Sequence, residues 1–326
     1  MKVSFIIPLY NRLDLTQPCL ESLRQTIPRG LDHEIILVDD GSTDGTREWI
    51  ATLGAPFRVI LNERNRGYAG TNNRGALAAT GDILALLNSD LVLTRGWLEP
   101  MLRLVRRPRV GIVGNVQRRV VDGALDHAGI LFTEKCKPAH DDRRFWLLAP
   151  WPRRRVPAVT AACLLIRREL FFHLGGFDEA FRNGCEDIDL CFRARALGYS
   201  VRVALRSRIG HHVSASRGEN PKNEYNSRRL AQRWRDELIR LGAHHASLQY
   251  LLDYLPTPRE ADPDTVWRCL LNLCGLRVAY GAPYRPWAEA PMLIEEKRWG
   301  ELLGPAGPDR FVSALLETPQ EQLPAG

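Results

Sequence analysis

The sequence predicts an α/β fold in which a mostly parallel central sheet is flanked by helices and followed by a helical C-terminal extension. Four short apolar runs alternate with segments of helical spacing over the first 90 residues, and turn-forming residues separate them. From residue 222 onward, amphipathic stretches replace this alternation. Strands and helices that alternate regularly form parallel sheets with right-handed crossovers, and 326 residues can bury a large core.

The first four strands are predicted from continuous apolar runs, which are typical of strands covered on both faces. We expect them at residues 3–8, 34–38, 57–61 and 83–87. Apolar residues at helical spacing predict the helices between them. Pro18 is expected in the first turn of the first helix, where a missing N–H does least harm.

After Pro108 the alternation changes, and shorter strands are expected at residues 110–113, 116–121, 130–133 and 159–166. The polar, basic stretch 134–155 is long for a connection, so we expect it to be mobile or to form a lid. A helix is expected from Glu186, and a strand at 200–204 with a loop after it. We predict one domain over residues 1–221, with a nucleotide-binding half at 1–107 and an acceptor half at 108–221, and a helical extension over 222–326.

Composition narrows the protein class. The net charge is +7, but only five of the 45 basic residues are lysine, a bias that also follows from a GC-rich genome. Seven cysteines without a Cys-x-x-Cys pair indicate neither a disulfide framework nor a zinc site, so we expect a reducing cytoplasm. We expect no signal peptide and no membrane span. Peripheral contact with an anionic membrane stays open.

Polar residues follow the carboxyl ends of the predicted strands, where ligands of parallel sheets bind. Asp39 and Asp40 begin a turn that is either a simple Asx turn and helix cap or a site where one carboxylate accepts the N3–H of a pyrimidine. Residues 62–75 are glycine-rich and lead into a helix, which suits either an ordinary loop or a phosphate contact.

Two further groups are candidates for catalysis and metal binding. Glu186, Asp187 and Asp189 crowd the first turn of a predicted helix, where acids also occur for dipole reasons; crowding makes one of them a candidate general base. His211 and His212 follow a strand and are either solvated loop residues or ligands that would suit Mn²⁺ or Mg²⁺ together with carboxylate and phosphate oxygens.

Together these segments resemble the inverting glycosyltransferases of family 2, which have the GT-A fold, and especially the rhamnosyltransferase-like bacterial members. The similarity runs, in the family's order, through residues 3–12, 38–46, 65–73, 87–90, 175–179 and 186–190. It covers roughly residues 1–216. The resemblance implies a GT-A domain and a sugar nucleotide as donor.

The resemblance also implies roles for individual residues. Asp187, beside Glu186, would be the catalytic base, and Asp39 would hold the pyrimidine. Asp90 and His211 would bind the metal ion, and His212 the metal ion or the diphosphate. The other nucleotide-binding residues would be Pro8, Tyr10, Asn11, Asn65, Asn73, Asn88 and Ser89. Asn88 stands where the family often has an Asp and brings no charge, so the cation, Mn²⁺ or Mg²⁺, would be held by fewer carboxylates.

The implied function is transfer of a sugar, with inversion, from dTDP-rhamnose or a UDP-sugar to a hydroxyl of a glycan or lipid-linked glycan. This activity belongs to polysaccharide biosynthesis of a bacterial cell envelope, in the cytoplasm or at the inner face of the membrane. A homodimer stays open, and no nucleic-acid partner is expected.

Three other functions were weighed. The pair Glu186 and Asp187, with the segment around His211, disfavours a polyprenyl-phosphate sugar transferase. The absence of glycine after the first strand disfavours a nucleotidyltransferase. The acidic cluster at the strand ends disfavours a binding module for carbohydrate or nucleic acid.

Overall fold

The computed structural model describes residues 1–143, 150–181, 183–212, 221–254, 261–274 and 285–304. The chain divides into two compact units. Unit 1 contains Met1–Ile130 and His140–Lys222, and unit 2 contains Leu131–Ala139 and Asn223–Asp309. The predicted division at residue 221 stays a prediction.

Within the described residues the chain forms twelve strands. They are β1 (Val3–Leu9), β2 (His33–Asp39), β3 (Phe57–Leu61), β4 (Ile83–Leu87), β5 (Leu91–Leu93), β6 (Val110–Arg119), β7 (Leu125–His127), β8 (Ile130–Phe132), β9 (Pro138–His140), β10 (Arg153–Val156), β11 (Cys163–Arg167) and β12 (Ser200–His211). The helices of unit 1 are α1 (Leu13–Thr26), α2 (Thr46–Ala51), α3 (Gly67–Ala78), α4 (Leu98–Val105), α5 (Arg168–His173) and α6 (Glu186–Ala196).

Unit 1 is built on one mixed sheet with the strand order β10-β12-β6-β11-β4-β1-β2-β3, to which β5 adds beside β12 and β7 beside β6. Strands β1 to β4 run parallel to one another, and β6 runs parallel to β12, whereas β11 runs antiparallel between β4 and β6. All five residues of β4 are buried, as expected of a central strand covered on both faces. The predicted α/β fold class, with a central sheet flanked by helices, is confirmed.

Two local predictions were wrong. Pro18 is the sixth residue of α1 rather than a first-turn residue; its exposed position leaves the carbonyl that it cannot bond open to water. The two short strands expected at 110–121 form the single strand β6. The stretch 134–155 contains β9 and β10, and its residues 144–149 lie outside the described residues; the mobile segment or lid expected there stays a prediction.

Strand β12 is longer than predicted, because it continues from Ser200 to His211. The sequence pattern stops at Ala204 because the pairing with β6 is irregular there: Ala204 pairs with Asn115, but the next paired residue is Arg208, opposite Val116. The intervening residues form a bulge, which breaks the alternation of side chains between the two faces. His211 is therefore the last residue of a strand and not a loop residue.

Unit 2 combines residues 131–139 with three helices, α7 (Pro221–Tyr254), α8 (Pro263–Leu273) and α9 (Arg285–Leu303). The backbone of α7 departs from helical geometry at Trp234. Arg235 joins α7 to α9 through an ion pair with Glu296 at 2.7 Å, and the Trp299 Nε1 donates a hydrogen bond to Glu224. None of the described helices has both the length and the apolar composition needed to cross a membrane.

A fully buried ion pair stabilises α6. Arg193 Nε donates to Asp189 Oδ2 at 2.7 Å, and both side chains are completely shielded from solvent. The same guanidinium donates to the carbonyl oxygens of Leu174 and Gly176, which directly follow α5 in the segment that leads to α6. Removing one partner of such a pair leaves a buried charge that is not neutralised.

We expect Arg193→Met to lower the free energy of unfolding by about 3–5 kcal/mol, because Asp189 would stay buried without its cation. Chemical denaturation measures the change. Arg24→Met, at an exposed arginine that is 3.8 Å from Glu21, should cost less than about 1 kcal/mol. The double variant Asp189→Leu/Arg193→Met should recover part of the loss; equal losses in all three variants would contradict this account.

Candidate active site

A crevice of about 580 Å³ opens at the carboxyl ends of β1, β2 and β4. Its volume lies in the range of small-molecule sites. Of the residues predicted from the sequence, eight line it: Pro8, Tyr10, Asn65, Asn88, Ser89, Asp90, Glu186 and Asp187. Five do not: Asn11, Asp39, Asn73, His211 and His212.

Asp40, and not Asp39, presents a carboxylate to the crevice. Asp40 Oδ1 accepts hydrogen bonds from Asn62 Nδ2 and the backbone N–H of Arg66, and its Oδ2 accepts from the N–H of Gly67 at 3.0 Å. A carboxylate can accept about four hydrogen bonds. Asp40 therefore keeps capacity for one more donor.

Asp39 is completely buried. Arg47 forms an ion pair with its Oδ2 at 2.7 Å, and the backbone N–H groups of Gly41 and Ser42 donate to the same carboxylate. Asp39 was predicted as the carboxylate that faces the nucleobase. Asp40 is a second candidate for that role, because it lines the crevice and Asp39 does not.

Asn88 and Asp90 follow β4 and line the crevice. The Asn88 N–H donates to the Ala162 carbonyl at 2.8 Å, which fixes this segment against the residues before β11. The Asn88 Oδ1 atom is buried and accepts no hydrogen bond. Buried polar atoms without a partner are costly in a core, so this oxygen is suited to a ligand in the crevice. The buried Asp90 Oδ1 instead lies 3.4 Å from His211 Nε2.

His211 lies behind Asp90 because β5 pairs with the end of β12. Leu91 is the partner of His211 in this antiparallel pair, and the His212 N–H donates to the Asp90 carbonyl at 3.0 Å. The His211 ring lies between two carboxylates, with Nε2 at 3.4 Å from Asp90 and Nδ1 at 3.8 Å from Asp126. Burial alone would lower the pKa of His211, but Asp126 and Asp90 raise it to about 9.

A divalent cation fits Asp90 and His211 only together with a ligand that supplies oxygens. Within the described part of the chain, no three Asp, Glu, His or Cys side chains form a cluster that could hold a metal ion. Mg²⁺ is commonly held by one or two carboxylates together with substrate phosphates. The carboxylate of Asp90 meets this requirement, and His211, whose pKa is raised, would bind the cation in its neutral form with loss of a proton.

Glu186 and Asp187 lie at the N-terminus of α6, where Cys185 has a left-handed backbone (φ 69°) and turns the chain into the helix. Asp187 accepts hydrogen bonds from the N–H groups of Ala161 and Ile188 at 3.0 and 2.8 Å. Glu186 accepts one from the Gly184 N–H at 2.6 Å. Burial, followed by the adjacent Asp187 charge, raises the pKa of Glu186 to about 8. Burial also raises the pKa of Asp187, although its two hydrogen bonds oppose the rise.

Tyr68 and Ala161 both line the crevice and are hydrogen-bonded to each other. The Tyr68 hydroxyl donates to the Ala161 carbonyl at 2.9 Å, and its backbone N–H donates to Asn183 Oδ1 at 3.0 Å. Ala161 is thus held at its carbonyl by Tyr68 and at its N–H by Asp187. The sequence analysis did not single out Tyr68, whose position at the start of α3 resembles an ordinary helix entry.

Two predicted residues have structural contacts instead of crevice contacts. Asn11 accepts a hydrogen bond from the Thr43 N–H at 2.8 Å and so joins the loops after β1 and β2. Asn73 bonds both the N–H and the carbonyl of Phe177 at 2.9 Å. Arg12, which the sequence analysis did not select, lines the crevice with a side chain that is 55% exposed; its charge beside Asp90 could have suggested an anion contact.

A family model described as Glycosyl transferase family 2 matches residues 4–175, more than half of the chain. The uncharacterized protein y4gI of Sinorhizobium fredii (strain NBRC 101917 / NGR234) is 34% identical over 72% of the chain. The O-antigen biosynthesis protein RfbC of Myxococcus xanthus is 34% identical over 66% of the chain. The chain spans only 27% and 18% of the lengths of these two proteins.

The fold is also similar to that of solved structures. A crystal structure of GalNAc-T7 with UDP, GalNAc and Mn²⁺ matches 87% of the chain and 58% of its own chain, with a TM-score of 0.63 and 19% sequence identity. At this identity the similarity concerns the fold alone. It confirms the GT-A architecture expected from the sequence.

The pKa of Glu186 predicts a pH dependence of stability. Its folded-state value of about 8 lies above the ordinary 4.5, so the unfolded chain releases this proton first and the stability falls as the pH rises from about 4.5 to about 8. We expect Glu186→Gln to reduce this fall in urea denaturation at several pH values. Glu63→Gln, at an exposed position, should not change the slope; an unchanged slope in Glu186→Gln would contradict a protonated Glu186.

Proposed function

Because the chain belongs to glycosyl transferase family 2, we propose that it transfers a sugar from a pyrimidine nucleoside diphosphate sugar to a hydroxyl group of a glycan or lipid-linked glycan. The observation that carries the proposal is the crevice itself. Asp40, Asp90 and Asp187 come from three separate segments and line one cavity. Asp40 would contact the nucleobase, Asp90 would bind the cation, and Asp187 would take the proton of the acceptor hydroxyl.

Asp40 would receive the pyrimidine. Its Oδ2 retains acceptor capacity, and the N3–H of uracil or thymine is the donor that matches it. Tyr10 lies at the same crevice with 56% of its surface exposed, so its ring is available to stack on the base. The GalNAc-T7 structure contains UDP, which supports a uridine nucleotide; dTDP-rhamnose stays a second donor, because a pyrimidine contact does not distinguish the sugars.

The diphosphate would lie between Arg12 and Asp90. A cation bound there, Mn²⁺ or Mg²⁺, would neutralise charge on the departing nucleoside diphosphate. Asp90 and His211 would hold it, and the Mn²⁺ in the GalNAc-T7 structure supports a divalent ion. Asn88 and Ser89 contribute oxygens without charge at the same strand end.

Asp187 would act as the general base. It removes the proton from the acceptor hydroxyl as this oxygen attacks the anomeric carbon, so the new bond forms on the face opposite the leaving group and the configuration inverts. The backbone N–H groups of Ala161 and Ile188 hold the carboxylate in place, and burial raises its pKa, which makes it a stronger proton acceptor than an exposed Asp. Glu186, which keeps its own proton, does not compete for this role.

The acceptor would be part of a cell-surface polysaccharide. This extension is supported by the relative RfbC, an O-antigen biosynthesis protein. Since the chain corresponds to a fraction of that protein's length, the donor sugar and the acceptor linkage are best found by screening. A thermal-shift panel of nucleoside diphosphate sugars with and without Mn²⁺ identifies the donor, because ligands that bind the native state raise the melting temperature.

We expect Asp187→Asn to lower kcat by about 10²- to 10⁴-fold, because the variant cannot accept the hydroxyl proton. The donor dissociation constant, measured by calorimetry, should stay unchanged. Asp32→Asn is the matched control, since Asp32 is exposed and precedes β2, whose carboxyl end, and not its amino end, faces the crevice. Weaker donor binding with normal turnover would argue against Asp187 as the base.

Asp40→Asn and Asp39→Asn separate the two candidates for base recognition. Asp40→Asn should abolish most of the thermal shift produced by UDP, because an amide oxygen carries no charge and accepts the N3–H less strongly. Asp39→Asn should lower the melting temperature of the free protein, because Arg47 loses its partner, yet keep the shift with UDP. The reverse result would assign recognition of the pyrimidine to Asp39.

A further inference from the structure

Asp126 connects two histidines near the crevice. It lies on β7 with a side chain that is only 10% exposed, and its Oδ2 is 3.8 Å from His211 Nδ1 and 3.6 Å from His140 Nδ1. The two histidines come from β12 and β9.

The backbone of β7 directs this side chain. Leu125 pairs with Arg118 and His127 pairs with Gln117, so Asp126 is an extra residue at an irregularity between two consecutive pairs. A bulge of this kind turns one side chain away from its regular direction. Asp126 therefore reaches His211, which belongs to another strand, instead of following the alternation of β7.

The two nitrogens of His211 face different carboxylates. Nε2 lies 3.4 Å from Asp90, which lines the crevice, whereas Nδ1 lies on the side of Asp126. A neutral imidazole has one N–H and one free lone pair. At 3.8 Å, Nδ1 and the Asp126 carboxylate are at ion-pair distance and not at hydrogen-bond distance, so Asp126 acts on the ring through its charge, while Nε2 faces Asp90.

We propose that Asp126 is a positioning residue that holds the ring orientation of His211 through the charge of its carboxylate, so that Nε2 faces the cation held by Asp90. The inference rests on the proposed function, because it requires that Asp90 and His211 bind a cation. Asp126 does not touch the reacting atoms. Its effect passes through His211.

The position of His140 fits the same arrangement. Its Nδ1 lies 3.2 Å from the main-chain oxygen of Asp126 as well as 3.6 Å from the carboxylate, and its ring packs edge-on against that of His127 at 4.8 Å. Both histidines thus lie near the same carboxylate oxygen, Asp126 Oδ2. Asp126 is thus oriented by its own neighbours before any ligand is bound.

Mn²⁺ affinity tests the proposal. Mn²⁺ is titrated into the full chain in the presence of saturating UDP, and free Mn²⁺ is followed by electron paramagnetic resonance with a UDP-only correction. Asp126→Asn should weaken Mn²⁺ binding about 10- to 100-fold, the usual effect of removing the carboxylate partner of a metal-bound histidine. Asp122→Asn, at a carboxylate of the same hairpin that is 45% exposed and paired with Arg119, should leave the affinity unchanged.

A double-mutant cycle separates positioning from a general loss of structure. If Asp126 acts through His211, Asp126→Asn should cause no further loss of Mn²⁺ affinity in a His211→Ala background. High Mn²⁺ concentrations should restore the turnover of Asp126→Asn but not that of Asp187→Asn. Equal, additive losses in the two backgrounds would overturn the proposal.

The remaining outcomes are also decisive. Unchanged Mn²⁺ affinity in Asp126→Asn would overturn this inference alone and leave the proposed function intact. A loss as complete as that of Asp90→Asn would make Asp126 a ligand instead of a positioning residue and so overturn it as well. Absence of Mn²⁺ binding in the wild-type protein would overturn both this inference and the cation in the proposed function.

Discussion

The buried ion pair between Asp189 and Arg193 is the contact on which the geometry of the crevice depends. The guanidinium also binds the carbonyls of Leu174 and Gly176, so it ties the turn before α6 to the helix itself. Asn73 of α3 forms hydrogen bonds with the N–H and the carbonyl of Phe177, the next residue of the same turn. Helices from the first and second halves of unit 1 are thereby held in one orientation, and the acids at the start of α6 keep their position relative to β1 and β4.

The need to stabilise buried charge also explains how several carboxylates lie close together at and behind the crevice. Buried acids need an opposite charge, hydrogen bonds or a proton, and the structure provides each of these separately. Asp39 is neutralised by Arg47, Asp90 has His211 beside it, and Glu186 keeps its proton. Asp187 relies on backbone N–H groups. Acids that look equivalent in the sequence therefore differ in charge and in availability.

Much of the fold could be predicted from the sequence, because the first four strands and the helices after them are local patterns. The crevice at the strand ends followed from the alternation of strands and helices. The choice between Asp39 and Asp40 did not, since it depends on which carboxylate Arg47 reaches. The proximity of Asp90 and His211 was implied by the family resemblance alone, because residue patterns do not show the pairing of β5 with β12, more than 100 residues later in the chain. Asp126 was missed because a bulge, and not a motif, directs its side chain.

The bulge in β12 has a consequence for how this chain can vary in length. Side chains alternate between the two faces of a strand, so adding or removing one residue turns every later side chain to the opposite face. The residues between Ala204 and Arg208 do not pair with β6. Their number decides toward which face of the sheet the His211 side chain points. A single-codon insertion or deletion in this segment would leave the hydrophobic composition intact and still turn the imidazole away from Asp90. Homologous chains that keep the histidine should therefore conserve the length of this segment more strictly than its sequence.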